Sequence, residues 1–363
     1  MAEYKMVRLG DVCEIQSGGT PSRSKTEYWK NGTIPWVKIG DFSGKYLNKT
    51  TEHITQKGLE NSSAKLFSKG TILYSIFATL GEATILNIDA TTNQAIAGIK
   101  IKDKSSVDID YFYSFLKSLK DEVNRIGRGV AQNNINLSIL KSFFIPLPPL
   151  ETQKQIAAQL DKCTAVIAKH KQMLEKYDTL IKSRFIEMFG DPKINSSNLP
   201  TKKFIEVVKL QRGFDLPVQE RNQDGLFNVY GSNGPLDKHD SFKVKAPGIV
   251  TGRSGTLGNV YYVLEDYWPL NTTLFSVDIH NNNVVYLKYL LELYDLSRFS
   301  EGAGVPTLNR NIVHDKDIID VPLSLQNDFA AFVQQIDKSK FAVQKSLEKT
   351  ETLYKSLMQQ YFA

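Results

Sequence analysis

The chain is written twice, and this repeat restricts its fold more tightly than composition does. Residues 180–190 read LIKSRFIEMFG and residues 353–363 read LYKSLMQQYFA, identical at Leu180/Leu353, Lys182/Lys355, Ser183/Ser356 and Phe189/Phe362, an offset of 173. Other echoes precede these in the same order. Ile145-Pro146-Leu147 answers to Val321-Pro322-Leu323, and Gly127-Arg128-Gly129-Val130 to Gly302-Ala303-Gly304-Val305. Thr79-Leu80-Gly81 matches Thr256-Leu257-Gly258, and Leu9-Gly10-Asp11-Val12 parallels Phe204-Ile205-Glu206-Val207. Preserved order along the chain means two copies of one structural plan, so the 363 residues divide into halves of similar architecture.

Each copy has two parts. The first is a series of short β-branched and aromatic runs such as Gly70-Thr71-Ile72-Leu73-Tyr74-Ser75-Ile76 and Gly248-Ile249-Val250-Thr251, bounded by Gly, Asn and Asp, which reads as a β-rich domain. The spacing of Tyr111, Phe112, Phe115, Leu116 and Leu119 predicts one helix over Ile109 to Ile126, with a counterpart over Val284 to Phe299. The second part differs: Leu150 to Phe189 contains neither proline nor glycine, and its apolar positions follow a heptad. Ile156, Leu160, Cys163, Ile167, His170, Leu174, Tyr177, Ile181, Arg184 and Met188 alternate in steps of four and three. Shifted by 173, the same seam runs through Phe329, Val333, Ile336, Lys340, Val343, Leu347, Thr350, Tyr354, Leu357 and Tyr361. PLPPL at 146–150 and PLSL at 322–325 mark the helix starts, and Gly190-Asp191-Pro192 ends the first.

A helix of this length spans roughly 58 Å, too long for an element of one compact domain, so the two helices are expected to pair. If the termini of the second globular domain are close together, the second helix returns antiparallel to the first. The expected fold is therefore α+β: two β-rich domains separated by an antiparallel coiled coil of two long helices, a dumbbell with pseudo-twofold symmetry. The expected boundaries are 1–149 and 193–325 for the domains, and 150–192 and 326–363 for the helices.

Two cysteines, Cys13 and Cys163, lie too far apart for a CxxC site and suggest no disulfide framework, which fits a reducing cytoplasm. The N-terminus has no signal-like apolar stretch and no run approaches a membrane span, so a soluble cytoplasmic protein is expected. No phosphate-binding GxxxxGK[ST] loop occurs, Pro148-Pro149 has the wrong neighbours for an amino-methylation motif, and the five histidines lack metal-ligand spacing. No catalytic site or metal site is expected. Two similar heads on a rigid spacer suit a ligand that is itself extended and nearly twofold. Duplex DNA is one, with half-sites about one helical turn (~34–36 Å) apart. Heads that share a frame but differ in their loops would read an asymmetric, bipartite target.

The order domain, long helix, domain, long helix, with PLPPLETQKQIA leading into the first helix and FGDP closing it, resembles the DNA-specificity subunit of type I restriction-modification enzymes. The resemblance covers essentially the whole chain. In the second head it rests on Gln211-Arg212-Gly213-Phe214-Asp215-Leu216-Pro217, Tyr230-Gly231-Ser232-Asn233-Gly234, the Thr251–Val260 run TGRSGTLGNV and Tyr267-Trp268-Pro269-Leu270-Asn271-Thr272-Thr273. In the first head it rests on Ser17-Gly18-Gly19-Thr20-Pro21-Ser22 and Ile34-Pro35-Trp36-Val37-Lys38. It implies two target-recognition domains that read double-stranded DNA and no chemistry in this chain. Two methylation subunits would supply S-adenosylmethionine, and translocase/endonuclease subunits would use ATP and Mg.

The residues chosen as DNA contacts follow from side-chain chemistry. Arg253 lies in a Gly-rich run, where its guanidinium could reach a guanine edge or a phosphate, or where the glycines merely turn strands; Ser254 and Thr256 share that loop. Gln132, Asn133 and Asn134, and Asn309 with Arg310, suit purine edges, while the asparagines suit loop capping equally. Arg128 accompanies the first group. Gly19, Thr20 and Ser22 could approach phosphate and Lys38 could neutralise one; Asn233 reads first as a turn. Trp36 and Trp268 are assigned to packing. Residues 1–149 hold 19 basic against 14 acidic side chains, residues 193–325 hold 14 against 15, and the chain as a whole carries +6. The second head is therefore expected to rely on a local patch of Arg212, Lys243, Lys245, Arg253 and Arg310. Two other functions remain open at this stage: the recognition part of a type IIG-like restriction-methylation enzyme, and a coiled-coil adaptor with protein-binding heads.

Overall fold

Two 40-residue helices, Leu150–Phe189 and Leu323–Phe362, organise the chain in a computed structural model that describes residues 4–127, 134–302 and 306–362. Each helix starts directly after a proline, whose ring already holds a helix-compatible φ. The Pro149 carbonyl accepts from Gln153 N–H at 3.1 Å and the Pro322 carbonyl from Gln326 N–H at 3.2 Å. The second helix therefore begins at Leu323, three residues before the expected position 326, because the turn closes as soon as the proline ring is passed. Gly190 closes the first helix in a left-handed conformation (φ +77°), its N–H on the Ile186 carbonyl.

The chain divides into two compact units, the first built from residues up to Lys169 and from Leu347 onward, the second from His170 to Ser346. Each unit takes in half of each long helix, so the helices belong to the cores as well as lying between the expected domain boundaries.

In the first unit a five-stranded sheet runs in the order Cys13–Ser17, Ile96–Ile101, Ile72–Ser75, Ala83–Leu86, Tyr46–Leu47. The central strand Ile72–Ser75 is buried at every position, whereas the edge strand alternates, Cys13 and Ile15 in and Glu14 and Gln16 out. A second sheet pairs Ile34–Val37 antiparallel with Glu52–Ile54 and parallel with Thr91–Thr92. The second unit repeats this plan. Lys209–Arg212, Thr273–Asp278, Gly248–Gly252 and Val260–Val263 form a sheet in the corresponding order. Phe227–Gly231 pairs antiparallel with Gly234–His239 and parallel with Tyr267–Pro269. Entry ladders also correspond: Lys5–Arg8 pairs with Phe144–Leu147, and Thr201–Lys203 with Asp317–Ile319.

The helix expected over Ile109 to Ile126 is two, Ile109–Ser118 and Lys120–Gly127, with Leu119 capping the first. Its counterpart ends at Tyr294, because Asp295 adopts φ +61° and a short 3₁₀ turn follows over Leu296–Phe299. The Asp295 carboxylate accepts from Ser297 at 2.5 Å and meets Lys193 at 2.9 Å, which holds that break in place.

Within each unit the two helix halves run antiparallel. In the first, Ile156, Leu160, Cys163 and Leu357 share a core with Tyr111, Phe112 and Phe115, and Tyr361 Oη donates to Gln159 at 2.8 Å. In the second, Phe185 and Phe189 pack on Phe329 at 5.3 and 5.9 Å, and Lys340 pairs with Asp178 at 2.5 Å. Every heptad position is buried or half-buried. Ile156, Leu160, Ile181, Phe329, Val333, Leu347 and Leu357 are buried, and Ile167, Leu174, Tyr177, Ile336, Val343 and Tyr354 are half-buried. Phe185 and Phe189 lie off that seam yet are 0 % and 1 % exposed, because they enter the core of the second unit beside Tyr286.

Candidate nucleic-acid interface

Strand pairing in the second unit gathers separate basic residues at one end of its larger sheet. Arg212 ends an edge strand and pairs with Leu274, whose other neighbour is Thr251; Arg253 follows two residues later, just past Gly252. The Arg253 backbone is fixed on both sides. Its N–H donates to the Thr272 carbonyl at 2.8 Å, and its carbonyl accepts from Leu308 N–H at 2.8 Å, which brings Asn309 and Arg310 alongside. A Cβ at Gly252 would stand 1.9 Å from the Thr256 carbonyl oxygen, so the loop folds back tightly only because glycine is there.

The result is a cleft of about 390 Å³ lined by Arg212, Arg253, Asn309 and Arg310, with Leu274 and Glu301. Arg212 and Arg310 are exposed and Arg253 is half-buried. Among the described residues none of these three guanidiniums has a carboxylate within ion-pair distance, whereas Arg221, elsewhere in the unit, lies 3.7 Å from Asp237. Three cations against the single carboxylate of Glu301, none of them ion-paired among the described residues, leave a net positive cleft that favours an anionic or acceptor-rich ligand. Asn309 caps the helix Arg310–His314, its Oδ1 accepting from Asn311 N–H at 3.0 Å, so capping occupies that oxygen. Behind the cleft His314 Nε2 accepts from Leu210 N–H at 3.0 Å; burial, then the charge of Arg310, holds its pKa below the usual imidazole value.

The remaining second-unit candidates lie apart from the cleft lining. Asn233 is exposed at the tip of the hairpin formed by Phe227–Gly231 and Gly234–His239. Ser254 and Thr256 lie on the loop after Arg253, the first half-buried and the second exposed. Lys243 places Nζ 4.9 Å from the Trp268 ring, and Lys245 is exposed two residues on.

In the first unit, Gly19 is buried, its N–H on the Thr92 carbonyl and its carbonyl accepting from Trp36 Nε1 at 3.1 Å. The Thr20 hydroxyl donates to Gln94 at 2.5 Å, and Ser22 Oγ lies 2.8 Å from Ser24 Oγ. Lys38 is ion-paired with Glu52 at 2.5 Å. Asn134 bridges to Phe77; Arg128, Gln132 and Asn133 lie outside the described residues. Sequence reasoning missed Arg23, whose guanidinium carbon lies 3.6 Å from the Trp29 ring centroid and whose Nη2 meets Glu52 at 2.6 Å. Only the pairing that puts Glu52 opposite Trp36 exposes this arrangement, and no spacing in the sequence encodes it.

No group of three or more side chains suited to holding a metal ion occurs among the described residues, and no helix of theirs is long and apolar enough to cross a membrane. These features define an internally duplicated α+β protein with paired long helices and a cationic cleft. Residues 1–176 match the family described as type I restriction modification DNA specificity domain. The EcoprrI specificity subunit of Escherichia coli is 21% identical over 357 residues, covering 92% of this chain and 88% of that protein. The MjaIX specificity subunit of Methanocaldococcus jannaschii is 27% identical over 237 residues, where the match spans 64% of this chain and 54% of the relative. The S subunit of a type I restriction-modification system from M. genitalium superposes with a TM-score of 0.63 at 16% identity, covering 99% and 96% of the two chains, a likeness of fold. Residues 1–176 thus match the type I restriction specificity family directly, and the whole chain is similar at lower identity to specificity subunits of that kind.

Proposed function

We propose that the chain is the sequence-specific DNA-binding subunit of a type I restriction-modification system, each unit reading one half of a bipartite, asymmetric target. The observation that carries this is the gathering of Arg212, Arg253 and Arg310, from separate segments and without ion-pair partners among the described residues, at a cleft whose one acidic lining residue is Glu301, in a region with 14 basic against 15 acidic residues. Guanidiniums so placed can fork onto guanine O6 and N7 or hold phosphate, and phosphate contacts make affinity fall with salt. The doubled plan supplies a second, differently dressed reader. In this reading the chain performs no chemistry. It scaffolds two methylation subunits that carry S-adenosylmethionine for adenine-N6 transfer, and translocase/endonuclease subunits with ATP and Mg join through the complex, in the cytoplasm.

Selection of the full-length chain, co-purified with its methylation subunits, against randomised duplexes tests this. A split motif with a fixed gap is expected, and Arg253→Ala should weaken the half read by the second unit by roughly tenfold or more. Equal binding to all duplexes overturns the reading. An adaptor with protein-binding heads would leave DNA binding unchanged in the Arg253→Ala variant.

A further inference from the structure

We propose that Arg23 is a guanine-reading side chain of the first unit, held ready by Trp29 and Glu52. This rests on the DNA-reading function proposed above and adds a recognition residue to a unit whose described candidates Gly19, Thr20, Ser22 and Lys38 are bonded within the protein.

The geometry is that of a guanidinium fixed in one pose. Its carbon stands 3.6 Å from the Trp29 ring centroid and 4.8 Å from that of Trp36, and the two indoles meet edge-on at 5.0 Å. Each indole is itself anchored: Trp29 Nε1 donates to the Ser22 carbonyl and Trp36 Nε1 to the Gly19 carbonyl, both at 3.1 Å. The loop that carries Arg23 is tied down at its base by Gly18 N–H on the Ile96 carbonyl and Gly19 N–H on the Thr92 carbonyl. Glu52 binds Nη2 of Arg23 through one oxygen and Lys38 through the other, and those bonds hold its carboxyl below the usual pKa, fully ionised.

An arginine has five N–H donors in a planar fork, and an exposed one loses much rotamer freedom when it binds. Here stacking and the carboxylate have removed that freedom in advance, while 54% of the side chain still faces water. An exposed ion pair contributes little to stability, so holding up the fold does not account for a clamp of this kind. With Nη2 held by Glu52, the remaining N–H donors of this half-exposed guanidinium can supply the pair that matches guanine O6 and N7 in the major groove. Lys38, sharing Glu52, stands beside it as a second positive charge.

The test begins with motif selection on the full-length chain with its methylation subunits. In the half-site read by the first unit, Arg23→Ala should relax preference at a single G·C pair by about ten- to a hundredfold, leaving the second half-site unchanged. Replacing that guanine by 7-deazaguanine, which lacks the N7 acceptor, should weaken the unsubstituted protein by about tenfold and the Arg23→Ala variant no further. An unchanged motif, or a uniform loss across all duplexes as for a phosphate contact, overturns the proposal. Should Arg23→Ala flatten the whole half-site, Arg23→Lys decides, because it keeps the charge opposite Glu52. Weakening confined to one G·C pair then supports the proposal and an unaltered motif overturns it. Absence of any motif in the unsubstituted protein instead overturns the DNA-reading function itself, a different result.

Discussion

Behind the cleft of the second unit, His314 does what its charged form cannot. Its Nε2 accepts the Leu210 N–H, so that nitrogen must be unprotonated. Burial and the nearby Arg310 and Lys209 favour the neutral ring, and the opposing pull of Asp315 is smaller than the first two. The unfolded chain takes up a proton near the ordinary histidine pKa of about 6.5, whereas the folded chain resists it to lower pH. The unfolded state therefore binds more protons in that interval, and this contribution is complete above about pH 6.5 and lost as pH falls through the folded value. The melting temperature of the native protein should drop between pH 7 and pH 5, and His314→Gln, whose amide does not titrate there, should flatten that drop. An equal drop in both proteins would remove His314 from the account. At this scale the sequence was partly legible. Arg212, Arg253, Asn309 and Arg310 were singled out by chemistry alone, and pairing brings them to one cleft. Arg23 was not legible, since its significance depends on Trp29, Trp36 and Glu52 meeting from three segments.

Among elements, the long helices were the most legible because heptad spacing and the absence of proline and glycine act over 40 residues. What the pattern did not reveal is how each helix is tied to its unit. Gln153 is fully buried: its Nε2 donates to the Ser106 and Pro148 carbonyls at 2.9 and 2.8 Å, and its Oε1 accepts from Asp108 N–H at 2.9 Å. Gln326, at the repeat offset of 173, donates to Asn282 Oδ1 and the Val321 carbonyl and accepts from Asn283 N–H. Asp108 and Asn283 are the N-caps of Ile109–Ser118 and Val284–Tyr294, so in both units one buried amide locks a helix start onto a helix cap. Replacing either glutamine by leucine keeps comparable bulk but strands three polar groups away from water. A loss on the order of 2–4 kcal/mol is expected for Gln153→Leu and for Gln326→Leu, read by urea unfolding. By contrast, Gln155→Leu, on the exposed face, should change stability by less than about 0.5 kcal/mol. The breaks at Leu119 and Asp295 escaped notice because no glycine or proline marks them. A left-handed aspartate held by Ser297 and Lys193 is a tertiary event.

At the scale of the whole molecule, duplication separates frame from reader. Sheet order, the parallel strand in the smaller sheet, the entry ladder and the buried glutamine recur in both units, while the loops that carry charge do not. Charge follows the same division: residues 1–149 carry an excess of five basic side chains, whereas residues 193–325 are nearly balanced. A balanced unit must rely on where its cations stand, and the cleft concentrates three of them. Salt dependence distinguishes the ways such a unit can bind, because each phosphate neutralised adds about −0.9 to the slope of log affinity against log salt. Replacing Arg212, Arg253 and Arg310 together by glutamine should reduce the steepness of that slope by up to about 2.7 if all three hold phosphate. A smaller reduction, with loss of preference confined to one half-site, assigns the difference to base edges. The same triple variant should leave the other half-site intact, since that unit carries its own surplus of charge. An unchanged slope with an unchanged motif would place the cleft away from DNA and leave the second unit to bind through Lys243, Lys245 and the Asn233 hairpin.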